Sequence, residues 1–295
     1  MIRTEGLTQR YAGGVTALDD LTVDVGPGVT GLVGANGAGK STLLKILLGL
    51  LTATDGTAAV LGLDVRTDGP AIRERVGYMP EHDCLPPDVT ATEFCVHLGR
   101  MSGLPTTAAR ERTADVLRHV GLYEERYRPM GGYSTGMKQR VKLAQALVHD
   151  PDLVLLDEPT NGLDPAGRDD MLELIRRIGG DFGIAVLVTS HLLGELERTC
   201  DDLVVIDGGR LLRQSTTADV TAQTTVVAVE VDDDPAGLLA RLAGAGVGVR
   251  PEGRLLLVEV TEDATYDLVR DACADLGLGL VRMERQRHRM TELFA

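Results

Sequence analysis

Short runs of apolar residues recur along the chain and predict a buried sheet. These runs occupy residues 29–33, 76–79, 153–156 and 184–188. A continuous apolar strand is typical of the middle of a parallel sheet that is covered on both faces. Segments with helical spacing separate the runs, as at 134–148, so the pattern predicts an α/β core. Less apolar segments at 2–8, 18–25 and 57–63 predict further short strands.

The pattern of apolar and polar residues changes over 82–130 and predicts short amphipathic helices there. One helix begins at Thr90, where Thr90 and Glu93 have capping-box spacing, and another runs over about 107–120. The first helix is expected to bury Phe94, Leu98 and Met101. We expect a helical insert between two halves of the core. The insert is either a surface that meets a partner or a stabilising layer.

The pattern restarts near residue 225. The predicted elements are strands 226–231, 247–250, 255–260 and 278–284 and helices 235–243 and 264–276. Their βαββαβ order is ferredoxin-like. We therefore predict two domains, residues 1–214 and 225–295, joined by a polar linker. The second domain shows no catalytic constellation, so we interpret it as a packing or dimer-contact module, with small-ligand sensing as the alternative.

Composition and charge restrict the classes of function. The chain has 295 residues and a net charge of −14, which argues against nucleic acid as the main partner because its phosphates would be repelled. Cys84, Cys95, Cys200 and Cys273 are far apart and form no C-x-x-C pair, as expected for reduced thiols in the cytosol. No apolar run is long enough to cross a bilayer, so a membrane role would need another subunit.

The segment GANGAGKS fits the phosphate-loop pattern G-x-x-x-x-G-K-[ST] and lies between a predicted strand and a predicted helix. Its glycines let successive N–H groups converge on phosphate oxygens, and the dipole of the following helix adds to the attraction. Lys40 would neutralise the β- and γ-phosphates, and the Ser41 hydroxyl would reach Mg²⁺. The residues of this candidate site are Gly34, Ala35, Asn36, Gly37, Ala38, Gly39, Lys40, Ser41 and Thr42.

Two carboxylates and a histidine follow apolar strands. Asp157 and Glu158 end the run 153–156, and His191 follows the run 184–188. Ligands of open parallel sheets bind at the carboxyl ends of the strands, and in phosphate-loop NTPases an acid at this place holds Mg²⁺. The alternatives are a solvated acidic turn and a structural histidine.

Three other positions are candidates for a structural role, and two of them also for binding. Tyr11 lies in a loop beside small residues, so it is either an exposed stacking surface for a base or a packed loop tyrosine. Ser134 and Asp164 are placed as helix N-caps. The Gly/Ser-rich helix start at Ser134 is also a second, weaker candidate for phosphate binding.

Together these motifs resemble the ABC transporter ATPases over residues 1 to about 212. The phosphate loop, YSTGMKQR at 133–140, LVLLDEPTNGLDP at 153–165 and His191 occur in that family's order and spacing. The GYMPE and YSTGM variants and the final RHRMTELFA resemble the single-domain ATPases of multidrug and antibiotic exporters. The implied fold is a phosphate-loop NTPase core, a mixed sheet with an antiparallel subdomain and a helical insert, followed by the ferredoxin-like domain.

The resemblance implies a role for each matching residue. Tyr11 would stack on adenine, and Lys40 with the rest of the phosphate loop would hold the phosphates of ATP. Glu158 would orient or deprotonate the attacking water, and His191 would hold the γ-phosphate. The residues implied around Mg²⁺ are Ser41, Glu81 and Asp157.

The resemblance also implies a second copy of the chain. Ser134, Thr135 and Gly136 would clasp ATP that is held by the other copy, and Asp164 would cross the interface between copies. Because this signature cannot serve its own phosphate loop, the expected working unit is a head-to-tail dimer. Two departures from the family's signature, Thr135 and Met137, are interpreted as tuning, as is Glu81 at the family's Q-loop position.

We therefore expect a Mg²⁺-dependent ATPase subunit that powers a separate transmembrane permease, an exporter. Its expected location is the cytoplasmic face of the cell membrane, where it would be held by the permease. One alternative is a non-transport ABC protein that acts on ribosomes or DNA. The other is a nucleotide-binding regulator without turnover. The transported substrate is expected to be set by the permease.

Overall fold

The computed structural model describes residues 1–217, 226–260 and 264–285, apart from the side chains of Leu193 and Arg285. The chain forms two compact units, Met1–Thr217 and Ala218–Ala295. Most of the predicted linker and the terminal segment RHRMTELFA lie outside the described residues.

The strands of the first unit form two sheets. They are β1 (Ile2–Arg10), β2 (Thr16–Val25), β3 (Val29–Val33), β4 (Asp55–Val60), β5 (Leu63–Asp64), β6 (Val76–Met79), β7 (Leu153–Leu156), β8 (Ala185–Ser190), β9 (Asp202–Asp207) and β10 (Arg210–Thr216). One sheet is antiparallel, with the order β2-β1-β4-β5. The other has the order β10-β9-β3-β8-β7-β6 and is parallel except for β10. The fold is therefore the mixed α/β arrangement that the sequence predicts.

The strands β3, β8 and β7 are neighbours in the middle of the parallel sheet. Every residue of these three strands is buried, which explains their continuous apolar sequences. Because the strands are parallel, their carboxyl ends lie at one edge of the sheet. The residues that follow each strand are therefore brought to the same place.

Helices cover the sheets and form the insert. They are α1 (Lys40–Leu47), α2 (Gly69–Arg75), α3 (Ala91–Met101), α4 (Thr106–His119), α5 (Thr135–Leu147), α6 (Pro165–Gly180) and α7 (Leu193–Leu196), with 3₁₀ turns at Glu125–Tyr127 and Met130–Gly132. Within the insert α3 packs against α4, and both contact α5. The predicted capping box of Thr90 and Glu93 is confirmed. Among the described residues, no helix is long and apolar enough to span a membrane.

The buried face of α3 differs from the prediction. Its buried residues are Ala91, Cys95 and Gly99. Phe94 and Leu98 are only partly buried, and Met101 is 73% exposed, so the predicted burial of Met101 is wrong. A Cβ atom on Gly99 would lie 3.4 Å from Ala109 Cβ of α4. The two helices approach through small side chains, and this close approach turns the larger apolar residues away from the core.

The second unit is a smaller α+β domain. Its elements are β11 (Val226–Val231), α8 (Pro235–Gly244), β12 (Val249–Glu252), β13 (Leu255–Glu259), α9 (Ala264–Leu276) and β14 (Leu280–Arg285). They form an antiparallel sheet with the order β12-β13-β11-β14. An apolar core that includes Val229, Leu242, Val258 and Val269 joins the sheet to both helices. The order of elements is the predicted βαββαβ.

Gly77 of β6 gives a test of the packing between α5 and the parallel sheet. A Cβ atom at this position would lie 1.9 Å from the Ala146 carbonyl oxygen of α5. Because backbone must move to relieve this overlap, we expect Gly77→Ala to lower the free energy of unfolding by about 1–3 kcal/mol, measured by urea denaturation. The matched control is Gly180→Ala in α6, where a Cβ atom has no neighbour within 4 Å. Equal stability of the two variants would contradict the packing described.

Candidate functional site

The phosphate loop joins β3 to α1 and is held by tight backbone packing. Gly39 has φ 104° and is the N-cap of α1, and a Cβ atom there would lie 2.4 Å from the Ala17 carbonyl oxygen. Any other residue would therefore be strained by both its conformation and its neighbour. The buried apolar residues of α1 are Leu43, Leu44, Ile46 and Leu47. The helix start and the loop N–H groups are thus fixed against the core.

Lys40 is the first residue of α1 and is only 6% exposed. Its Nζ donates to the Gly34 carbonyl oxygen over 2.7 Å and lies 3.2 Å from Glu158 Oε1. A second carbonyl oxygen, that of Ala35, lies 3.4 Å from Nζ, so two carbonyls and one carboxylate hold the ammonium group at the cavity floor. A buried cation in this place attracts anionic oxygens.

Glu158 follows β7 and carries a buried carboxylate between two nitrogen groups. Its Oε1 lies 3.2 Å from Lys40 Nζ, and its Oε2 lies 2.8 Å from His191 Nδ1. The backbone of Glu158 has φ 49°, a conformation that is costly for a residue with a side chain. Its N–H donates to Thr189 Oγ1 over 2.9 Å, which helps to hold this conformation. The strained turn aims the carboxylate at the neighbouring strand end.

Asp157 is 3% exposed and is also held by Thr189, whose hydroxyl donates to Asp157 Oδ1 over 2.9 Å. Burial raises the pKa of Asp157, and the charges of Glu81 and Glu158 raise it further, while the hydroxyls of Thr189 and Ser41 oppose this. A nearby cation would relieve the cost of this buried negative charge.

The donor set around Asp157 fits Mg²⁺. The Ser41 hydroxyl and the Asp157 carboxylate are hard oxygen donors, and Mg²⁺ commonly binds through one or two carboxylates together with phosphate oxygens and water. The part of the chain that the structure describes contains no group of three or more His, Cys, Asp and Glu side chains that could hold a metal.

An open cavity of about 390 Å³ lies above the phosphate loop. Its lining residues are Ala17, Ala35, Asn36, Gly37, Gly39, Lys40, Ser41, Thr42, Glu81 and Glu158. The exposed Tyr11 lies beside it, with its hydroxyl 3.3 Å from Thr42 Oγ1. The structure therefore gathers most of the predicted nucleotide-binding residues around one cavity.

The predicted residues Ser134, Thr135, Gly136 and Asp164 do not line this cavity. The Ser134 side chain accepts from the Met137 N–H and caps α5, and the Asp164 side chain accepts from the Gly167 N–H and caps α6. Both N-cap predictions are confirmed. Ser134, Thr135 and Asp164 are exposed.

Glu81 lies in the cavity wall, and its backbone is anchored by a residue that sequence reasoning missed. Lys142 of α5 is 3% exposed and donates to the Glu81 carbonyl oxygen over 2.7 Å. Burial lowers the pKa of Lys142. One turn earlier, Lys138 pairs with Asp83 over 2.9 Å. The chain has few lysines, and two of them, Lys138 and Lys142, are four residues apart and so share one face of α5. This spacing was the signal in the sequence that could have identified Lys142.

The sequence analysis also did not identify Thr189 as a site residue. Its position as a polar residue at the end of an apolar strand was a signal that could have done so. It is fully buried and bonds to both Asp157 and Glu158. Thr189→Val would leave a buried N–H and a buried carboxylate without this partner, so we expect the free energy of unfolding to fall by about 1–3 kcal/mol. Thr189→Ser keeps the hydroxyl and should lose less. Urea denaturation compares the two, and equal losses would contradict the role of the hydroxyl.

Comparison with known proteins places the chain in a family. Residues 18–161 match the family described as ABC transporter. The chain is 37% identical over 252 residues to the daunorubicin/doxorubicin resistance ATP-binding protein DrrA of Streptomyces peucetius, which covers 84% of this chain and 76% of that protein. It is 39% identical over 249 residues to the Nod factor export ATP-binding protein I of Ralstonia nicotianae, covering 82% and 77%.

A solved structure shows the same fold. The cbiO1 protein from Clostridium perfringens, part of the ABC transporter complex cbiONQ, matches with a TM-score of 0.69 and 27% identity over 75% of this chain and 90% of that chain. The chain therefore belongs to the ABC transporter family, as an ATP-binding protein with ATPase activity.

Proposed function

We propose that the chain hydrolyses ATP in the cavity above the phosphate loop and thereby powers a separate membrane-embedded exporter. The observation that carries this proposal is the position of Glu158. Its buried carboxylate lies between Lys40 of the phosphate loop and His191 at the edge of the sheet. A base and a phosphate-binding cation thus line one cavity, and a further hydrogen-bonding group contacts the base.

The geometry supports hydrolysis by positioning and charge stabilisation. Glu158 takes a proton from water as the water oxygen attacks the γ-phosphorus, and the bond from the γ-phosphorus to the bridging oxygen of ADP breaks. Lys40 and the loop N–H groups stabilise negative charge on the phosphoryl oxygens. His191, whose Nδ1 faces Glu158, keeps Nε2 for the γ-phosphate. When bound at Ser41 and Asp157, Mg²⁺ supplies positive charge at the phosphates.

The proposal includes a dimer with two composite sites. Ser134 and Asp164 are exposed and do not line their own chain's cavity, which fits contact with ATP on a second copy. Helix α5, which begins after Ser134, also holds the backbone of Glu81 through Lys142. The signature segment and the cavity wall are therefore joined by one helix. Thr135, Met137 and Glu81 tune turnover in this scheme.

The exporter assignment draws on the relatives named for drug resistance and for Nod factor export. The permease would bind the helical insert and hold the chain at the cytoplasmic face of the membrane. In the insert, Met101 is exposed beside His97, Arg100, Leu104 and Pro105, which line a shallow groove. The second unit is proposed as a packing or dimer-contact module.

Replacement of Glu158 tests hydrolysis and dimer formation together. Because a general base contributes about 10²–10⁴-fold to rate, we expect Glu158→Gln to lower phosphate release from Mg²⁺-ATP by at least about 10²-fold while ATP still binds. Because ATP is then not consumed, it should keep the two copies together as a dimer. Light scattering should show twice the molar mass of the single chain. The matched control is Glu173→Gln, an exposed glutamate of α6, which should behave as wild type.

The two parts of this experiment fail separately. Wild-type turnover in Glu158→Gln would refute its role as the base. A monomer at saturating ATP, in a variant that binds ATP, would refute the composite site while leaving hydrolysis intact.

Substitution in the insert tests the docking of a permease. We expect Met101→Glu to reduce co-purification with a membrane protein encoded by a neighbouring reading frame, because a charge is placed on an exposed apolar contact. Leu50→Glu is the control, since Leu50 is 62% exposed and lies outside the insert. Phosphate release should be unchanged in both variants. Equal co-purification of the two would contradict docking through the insert.

A further inference from the structure

A buried carboxylate lies behind the two loops that carry Glu158 and His191. Glu195 of α7 is only 7% exposed, and its Oε2 accepts from Thr160 Oγ1 over 2.8 Å and from Ser190 Oγ over 3.3 Å. Thr160 lies in the loop just after Glu158, and Ser190 directly precedes His191. One carboxylate therefore connects both loops.

Burial and further contacts of Glu195 hold this connection in place. Thr160 is 6% exposed and Ser190 is 1% exposed, so neither hydroxyl can replace its acceptor with bulk water. Arg168 Nε of α6 lies 3.0 Å from Glu195 Oε1 and compensates its charge. The Glu195 carbonyl oxygen accepts from Thr199 Oγ1 over 3.2 Å, which fixes the backbone.

We propose that Glu195 is a positioning residue for ATP hydrolysis. Through Thr160 and Ser190 it sets the spacing between Glu158 and His191, whose side chains lie 2.8 Å apart. Glu195 does not line the cavity, so it acts only through the two loops. The inference rests on hydrolysis at the proposed site, and turnover of the wild-type chain checks that point separately.

Glu195→Gln tests this role because it keeps the size of the side chain. Both hydroxyls donate to the same oxygen, Oε2. The amide oxygen can replace it only as a weaker, uncharged acceptor, and the NH₂ group then faces Arg168 where a carboxylate oxygen stood. We expect kcat for ATP to fall by about 10-fold, because misplacement of a reacting group can cost up to about 10²-fold in rate. KM for ATP should stay within about two-fold of wild type. The matched control is Glu197→Gln, a partly buried neighbour, for which we expect wild-type kcat.

A second pair of variants keeps the test valid if Glu195→Gln folds poorly. Thr160→Val removes one link and should lower kcat, whereas Thr160→Ser keeps the hydroxyl and should restore it. In the double variant Glu195→Gln/Thr160→Val the two losses should be less than multiplicative, because both act through one connection.

Two results would overturn the proposal. The first is wild-type kcat in folded Glu195→Gln. The second is a fall in kcat that Thr160→Ser shares with Thr160→Val, since that would reflect general loss of structure rather than the hydrogen bond. Absence of turnover in the wild-type chain would instead refute the proposed function.

Discussion

The buried negative charge of Glu158 is the constraint on which the site depends. A carboxylate removed from water is costly unless it is paired, and Glu158 is paired with Lys40 at 3.2 Å and with His191 at 2.8 Å. The three residues follow three neighbouring strands, β3, β7 and β8. Their meeting therefore requires the strand order of the parallel sheet, so the electrostatics of the site and the topology of the fold support each other.

Around this cluster, a few long-range polar contacts join elements that the sheet alone would leave separate. Thr189 links β8 to both carboxylates, and Lys142 links α5 to the backbone of Glu81. Asn161 joins the same wall, since its Nδ2 donates to Glu81 Oε1 over 3.3 Å and its carbonyl oxygen accepts from Gln139 of α5 over 3.0 Å. Helix α5 therefore contacts both the cavity wall and the loop after Glu158, which gives a physical route between the signature segment and the cavity.

The sequence predicted the features that are encoded locally. The phosphate loop is specified by three closely spaced glycines with Lys40, the strands by continuous apolar runs, and the cap at Thr90 by Glu93 three residues later. The cap at Ser134 is specified by a Gly/Ser-rich helix start. Contacts between distant segments could not be found in this way. Glu195 meets Thr160 only because α7 and the loop after β7 fold together, and nothing in the local pattern distinguishes it from Glu197. The exposure of Met101 has the same origin, because the neighbouring α4 selects which face of α3 is buried.

We propose that the cluster of Lys40, Glu158 and His191 hydrolyses ATP. The most direct test of this proposal is the rate of phosphate release from Mg²⁺-ATP by His191→Ala compared with the wild-type chain, at saturating ATP. Because removal of one preorganised hydrogen-bond donor costs about 10²–10³-fold in rate, we expect a loss of about 10²-fold with ATP binding retained. Release at the wild-type rate would contradict it.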